Sequence, residues 1–310
     1  MSGGARPLVL VTGGAGFIGS HACEALLTDG MRVRVFDDFS TGNAANLAGI
    51  WRDIEVAEGS VESPDALARA MVGVRDVVHL AARSSVAESI AAADVYRRVN
   101  IDGTRALLAT AADAGVRRVV FAASSSAYGD HAAPHDESME PRPMSPYAET
   151  KVAGEALVRE FAESRGVDGV ALRFFNVYGL RQDPNSAYAA VIARFRSRIA
   201  ADLPITIYGD GLQTRDFIHV SDTARAIACA LRATTPLAGT AVNIGTGRAT
   251  SVLELASLIA HALGGSPVIT HAAAREGEVR DSVAVTERAA TMIGFRATTR
   301  IEDGLASMCR

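Results

Sequence analysis

Tyr147 and Lys151 stand four residues apart in Pro146-Tyr147-Ala148-Glu149-Thr150-Lys151, a spacing that puts both side chains on one face of a helix. A free phenol loses its proton near pH 10 and is a poor base at neutrality. A neighbouring ammonium stabilises the phenolate, so such a pair can take a proton from a hydroxyl and give it back. A second chemical element is the run Ala123-Ser124-Ser125-Ser126-Ala127-Tyr128-Gly129. Its hydroxyls suit the holding of a substrate oxygen, although serine runs also form simple local turns. Arg83, in Ala81-Ala82-Arg83-Ser84-Ser85, suits pairing with a carboxylate or plain solvation on a loop.

A third pattern binds rather than reacts. The apolar run Leu8-Val9-Leu10-Val11 leads into Thr12-Gly13-Gly14-Ala15-Gly16-Phe17-Ile18-Gly19, with glycines at 13, 16 and 19. Between a strand and a helix such glycines allow a tight turn, close approach of a pyrophosphate to backbone amides, and close helix–sheet packing. Asp37 ends the next strand 18 residues after Gly19. An acidic side chain there binds ribose hydroxyls and repels a 2′-phosphate, which favours NAD over NADP. The turn formers Asp38, Ser40, Thr41 and Gly42 follow it.

These groups need a scaffold. Pro7–Thr12, Arg32–Asp37, Ile54–Glu58, Asp76–Leu80, Arg118–Ser124 and Gly169–Arg173 read as buried strands. Gly16–Asp29, Pro64–Met71, Tyr96–Ala114 and Tyr147–Arg165 carry apolar residues at helical spacing between them. The alternation predicts an α/β fold with a doubly wound parallel sheet, and its serine run falls at the C-terminal end of the fifth strand, where such sheets bind ligands. Beyond Asn176 the rhythm changes to a Gly/Pro/Asn-rich stretch through Ser186, a helix Ala187–Arg198, a strand Ile205–Tyr208 and a turn Gly209–Gly211. Then come a helix His219–Arg232, a strand Ala241–Ile244 and helices Ser251–Leu263 and Ile301–Met308. The expected division is a nucleotide-binding domain over 1–175, to which 212–247 return, and a smaller α/β substrate lobe over 176–211 and 248–310.

The 310 residues carry a net charge of −4 with 21% charged and 48% hydrophobic side chains. That balance predicts a folded chain and no broad basic surface for nucleic acid. Cys23, Cys229 and Cys309 are widely spaced and odd in number, which suggests neither a disulfide framework nor a metal site and fits a reducing cytoplasm. Met1–Arg6 lack the apolar core of a signal peptide, and no apolar run is long enough to cross a bilayer. His21, His79 and His219 read as packing or capping residues.

The glycines at 13, 16 and 19, Asp37, the serine run ending Tyr128-Gly129 and Tyr147-x-x-x-Lys151 together resemble the extended short-chain dehydrogenase/reductase family, and within it the nucleotide-sugar epimerases of the UDP-glucose 4-epimerase type. The resemblance continues through Arg173-Phe174-Phe175-Asn176-Val177-Tyr178-Gly179, Gly209-Asp210-Gly211, Arg215-Asp216-Phe217-Ile218-His219-Val220 and Asn243-Ile244-Gly245-Thr246-Gly247. It implies NAD held by Gly13, Gly16, Phe17, Ile18, Gly19, Asp37, Asp38, Ser40, Thr41, Gly42, Ser60, Val61, Leu80, Ala81, Ala82, Tyr147 and Lys151. It implies Tyr147 as base, Lys151 as its electrostatic partner and Ser124 on the sugar's 4-hydroxyl. Arg83, Ser84, Ser125, Ser126, Phe174, Asn176, Arg215, Arg280 and Ser282 would complete the substrate site, Asn176 and the two later arginines taking the diphosphate. Ser60 departs from the family's usual Asp on the adenine amino group, so that contact is weakened or rearranged.

Related sugar dehydratases pair the hydroxyl residue with Asp and Glu in the same loop, to protonate a leaving hydroxyl. Ser125 and Ser126 stand there instead, which leaves reversible 4-epimerisation of a UDP-hexose as the expectation, first of all UDP-glucose/UDP-galactose. Ser282 leaves room for an N-acetyl group and Arg83 could meet a uronate, so UDP-N-acetylglucosamine and UDP-glucuronate stay open. Other readings are a 4,6-dehydratase, a ketosugar reductase and a non-catalytic NAD-binding regulator. By resemblance the chain is expected to form a homodimer through Tyr96–Ala114 and Tyr147–Arg165.

Overall fold

The computed structural model describes residues 6–182, 190–266, 268–274 and 279–309. Five consecutive buried residues, Leu-Val-Leu-Val-Thr, make β1 (Leu8–Thr12) a central strand; only a sheet covered on both faces accepts such a run. Around it, in chain order, come α1 (Phe17–Thr28), β2 (Arg32–Asp37), β3 (Ile54–Glu58), α2 (Pro64–Met71), β4 (Asp76–His79), α3 (Val86–Ala91), α4 (Ala93–Arg97), α5 (Gly103–Asp113), β5 (Arg118–Ser124), α6 (Pro146–Arg165) and β6 (Asp168–Phe174). There follow β7 (Asn176–Tyr178), α7 (Ala190–Ala200), β8 (Ile205–Tyr208), β9 (Thr214–Arg215), β10 (Phe217–His219), α8 (Val220–Arg232) and β11 (Thr240–Ile244). The chain closes with β12 (Thr250–Ser251), α9 (Val252–Ala262), β13 (Ile269–Ala272), β14 (Asp281–Ser282), α10 (Glu287–Ile293) and α11 (Ile301–Ser307).

Seven strands form one parallel sheet in the order β3-β2-β1-β4-β5-β6-β11. The expected doubly wound Rossmann-like fold is thus present. The winding direction reverses between β1 and β4, which opens a crevice at the carboxyl ends of those strands. The pleat sends Val9 and Val11 to one face, with Val33, Val35 and Val78, and Leu8 and Leu10 to the other, with Phe36 and Val77. A third apolar cluster joins Tyr178, Phe195, Ile205, Ile207, Phe217, Leu255, Ile259, Ile301 and Leu305. At the amino-terminal ends of the strands, opposite the crevice, Arg118, where β5 starts, donates to Ala230 O at 2.9 Å, Ala233 O at 2.6 Å and Thr235 O at 2.9 Å, and pairs with Asp168 at 2.6 Å. One guanidinium thereby serves the carboxyl end of α8.

Several elements differ from expectation. The single helix expected over Tyr96–Ala114 is three pieces, α4, a π-helical turn at Arg98–Asp102 and α5; periodicity cannot reveal one inserted residue. His219 does not open the helix but ends β10 and caps α8, Nδ1 accepting from Ser221 N at 3.3 Å. The Asn176 stretch opens as strand β7, paired in parallel with β10, because main-chain partners 40 residues away cannot be read from a local window. Of the helix expected at Ala187–Arg198, residues 187–189 lie outside the described residues, as do 183–186. None of the described helices is long and apolar enough to cross a membrane.

Candidate active site

The glycine loop is built for backbone contact. Gly13 has φ +68°, and a Cβ there would lie 2.7 Å from Ala81 N; a Cβ on Gly19 would lie 2.1 Å from Gly13 O. Strand end, turn and helix start therefore touch without side chains. Gly16 caps α1 with no side-chain hydrogen bond, so the first-turn amides of Phe17, Ile18 and Gly19 face outward at the positive end of the helix. This cradle fits the pyrophosphate of a dinucleotide. Asp37 is buried; its Oδ2 accepts from Ala15 N and its Oδ1 from Phe39 N, both at 2.9 Å. Burial raises its pKa against those two amides, and its remaining lone pairs fit hydroxyl donors such as a ribose. A Cβ on Gly42 would come within 2.8 Å of that carboxylate.

The rest of the expected cofactor set surrounds this loop. Leu80 N donates to Thr12 O at 3.1 Å and Ala81 N to Thr12 Oγ1 at 3.2 Å. Asp38 accepts from Ser40 N, Ser60 Oγ accepts from Glu62 N, and Val61 packs on Gly103. Asp38 and Ser60 are thus turn formers in this structure, while Thr41 is exposed and Ala82 half-buried.

Ser145 caps α6 by accepting from Ala148 N at 3.2 Å, and Pro146 fixes its first turn. Tyr147 and Lys151 consequently share a face, with Nζ 5.8 Å from the Tyr147 ring centroid and 5.1 Å from that of Phe121. Nζ donates to Ala122 O at 2.9 Å. Burial lowers the ammonium's pKa to about 8, opposed by Glu155, and raises that of the phenol, opposed by Ser124. Ser124 ends β5 beside the phenol, and its Oγ accepts from Ser126 N at 3.2 Å and Ser126 Oγ at 2.9 Å. Phe174 is its register partner on β6.

A one-directional chain of buried donors links the glycine loop to this pair. Thr12 Oγ1 donates to His79 Nδ1 at 2.7 Å, His79 Nε2 to Thr104 Oγ1 at 2.9 Å, and Thr104 Oγ1 to Asn100 O at 2.6 Å. The Thr104 proton is committed to a carbonyl, so His79 carries a hydrogen on Nε2, and in the neutral imidazole that burial favours Nδ1 is the acceptor. Burial, then Lys151, lowers the His79 pKa to about 3. The Asn100 amide donates to Thr150 Oγ1 at 3.0 Å and to Arg83 O at 2.9 Å, and accepts from Arg83 N at 2.8 Å. Thr150 Oγ1 ends the chain on Tyr147 O at 2.8 Å. Asn100 sits on the π turn and was not among the sequence candidates, because its environment depends on that turn.

The remaining substrate candidates lie on the neighbouring segments. Asn176 Nδ2 donates to Asp216 O at 3.2 Å, and Arg215 Nη1 to Thr214 O at 2.8 Å and Arg280 O at 3.0 Å. Ser282 pairs with Arg215 in parallel register. The Arg280 side chain meets exposed Asp210 at 3.2 Å, on the rim, and Ser84 is exposed. Asp216, also absent from the candidates, is fully buried; its carboxylate accepts from Thr246 N, Thr246 Oγ1, Gly247 N and Ala284 N at 2.8, 2.6, 2.9 and 3.2 Å. Its position directly after Arg215 was the signal available.

A doubly wound sheet with a glycine cradle, an acidic end to the second strand and a serine–tyrosine–lysine cluster defines a dinucleotide-binding protein of the short-chain dehydrogenase/reductase type. Residues 9–245 match the model of the NAD dependent epimerase/dehydratase family. The chain belongs to that family, whose dinucleotide is NAD. It is 37% identical over 303 residues to a UDP-glucose 4-epimerase of Mycolicibacterium smegmatis, covering 96% of each chain. A dTDP-glucose 4,6-dehydratase of Streptomyces griseus is 35% identical over 309 residues, 96% of this chain and 92% of the relative. A UDP-N-acetylglucosamine 4-epimerase of Methanobrevibacter ruminantium, solved with UDP-N-acetylmuramic acid, superposes with a TM-score of 0.92 at 34% identity, covering 98% of this chain and 97% of that one.

Proposed function

We propose that the protein is an NAD-dependent UDP-sugar 4-epimerase that inverts C4 of a UDP-hexose, UDP-glucose/UDP-galactose foremost. The observation that carries this is the cluster of Ser124, Tyr147 and Lys151 with only hydroxyls, Ser125 and Ser126, where dehydration would need carboxyl groups. Bound NAD supplies a reversible hydride acceptor. Ser124 holds the 4-oxygen, Tyr147 takes its proton and later returns it, and the Lys151 ammonium favours the phenolate. Asn176, Arg215 and Arg280 hold the diphosphate. The hexosyl group, tethered only through that diphosphate, turns to offer its other face, and the 4-keto sugar regains hydride with inversion.

Two positions set the sugar. Ser282 leaves space for an N-acetyl group. The backbone of Arg83 is clamped by Asn100, and its guanidinium supports a uronate as the second reading. The division into 1–175 with 212–247 against 176–211 with 248–310 goes with this function; the third apolar cluster supports it, although Phe217 packs into that cluster from the returning segment. A homodimer through α4, α5 and α6 belongs to the same reading, and light scattering checks it.

Incubation with UDP-galactose, UDP-glucuronate and UDP-N-acetylglucosamine, without added NADH, is expected to interconvert at least one pair of 4-epimers. Conversion of none, or release of a 4-keto-6-deoxy sugar, would defeat the proposal. Tyr147→Phe is expected to lower turnover by ~10²–10⁴-fold while NAD stays bound and the circular dichroism spectrum is unchanged.

A further inference from the structure

Ser124 is the hydroxyl assigned to the sugar oxygen, yet a serine hydroxyl is directionally ambiguous: it has one proton and two lone pairs. Both lone pairs are engaged here by a single neighbour. Ser126 donates to Ser124 Oγ through its backbone N–H at 3.2 Å and through its own hydroxyl at 2.9 Å. The first bond caps the short turn Ser125–Tyr128 and any residue with an amide supplies it. The second depends on a hydroxyl at position 126.

We propose that Ser126 is a positioning residue for the reaction: by filling both acceptor sites of Ser124 Oγ it leaves that hydroxyl able only to donate, to the Tyr147 oxygen in the free protein and to the reacting sugar oxygen once a sugar is bound. The inference rests on the epimerase reading for the sugar but not for the phenol, since the bond from Lys151 Nζ to Ala122 O at 2.9 Å ties the helix of Tyr147 to the strand that ends at Ser124, which puts Ser124 beside the phenol in the free protein. A hydroxyl that accepts a hydrogen bond is also a better donor, because chained hydrogen bonds polarise one another. The relay Ser126 Oγ–H to Ser124 Oγ–H to Tyr147 Oη therefore stabilises the phenolate. When the sugar binds, the same fixed proton meets the 4-oxygen instead of competing for its proton. Ser126 touches no reacting atom; it acts through Ser124.

The test compares Ser126→Ala with Ser126→Thr in the NAD-bound protein. The alanine keeps the turn's amide bond and removes the relay's first donor; the threonine keeps both. The Tyr147 phenol is titrated directly, as the ultraviolet difference between each protein and the same protein carrying Tyr147→Phe, which needs no turnover. Ser126→Ala is expected to raise the phenol's pKa by about half a unit to one unit, and Ser126→Thr to leave it within about 0.2 unit, given the loss or retention of one hydrogen bond. With a sugar nucleotide that turns over, Ser126→Ala is expected to lower kcat by about 3- to 10-fold and change KM by less than about 2-fold, with threonine restoring kcat. A phenol unaltered by alanine overturns the proposal, as does an equal shift in both variants or a change confined to KM. If the parent protein converts no sugar nucleotide, the epimerase reading fails while the titration still decides the role of Ser126.

Discussion

Asp37 shows how one residue serves structure and ligand together. Its carboxylate fixes the glycine turn through Ala15 N and the following turn through Phe39 N, so it is preorganised before any ribose arrives. Asp37→Asn keeps the size but removes the charge and sets an NH2 group against one of the two backbone amides, Ala15 N or Phe39 N, that the carboxylate now satisfies. The expected result is NAD binding weakened by about 10- to 100-fold, in line with ~1.5–3 kcal/mol for a charged hydrogen bond, and a smaller preference for NAD over NADP because a 2′-phosphate is no longer repelled. Calorimetric titration with both nucleotides checks this. Asp37 and the glycines were legible in the sequence because their neighbours in space are nearly their neighbours in the chain. Tyr147 and Lys151 were legible for the same reason, sharing one helical face.

At the scale of elements, strands such as β1 and β5 announce themselves by unbroken apolar runs, whereas the π turn between α4 and α5 does not. One inserted residue alters phase without altering composition, so Asn100 and its clamp on Arg83 and Thr150 were hidden. The neutral His79 that buttresses this turn has a pH consequence. Its pKa falls from 6.5 to about 3 on folding, so the unfolded chain binds the proton more readily. The resulting stability is complete above pH 6.5 and is lost progressively as pH falls toward 3. Between pH 6.5 and 5 this one group is expected to cost about 2 kcal/mol. Urea unfolding of His79→Gln should show lower stability than the parent at pH 7, from a disturbed donor chain, but a shallower decline toward pH 5. An equal decline in both would contradict the assignment.

Across the whole molecule, the parts are joined by buried polar groups whose partners are distant in sequence. Asp216 gathers Thr246, Gly247 and Ala284 against the strand that carries Arg215, and nothing in the string Arg215-Asp216-Phe217 announces those partners. Asp216→Ala should leave four donors without an acceptor and lower unfolding free energy by about 3–5 kcal/mol, as for other broken buried networks. Thermal melting checks this, and a shift of only about a degree would contradict it. Arg118 makes the amino-terminal ends of the strands different in kind from the crevice at their carboxyl ends. There a cation of the chain itself occupies the carbonyls that end α8, whereas at the carboxyl ends of the strands Gly16 opens α1 with no side-chain cap on its first-turn amides. One end of the sheet is thereby closed by a cation the chain supplies to its own helix carbonyls, while the other keeps first-turn helix amides for an anion from outside.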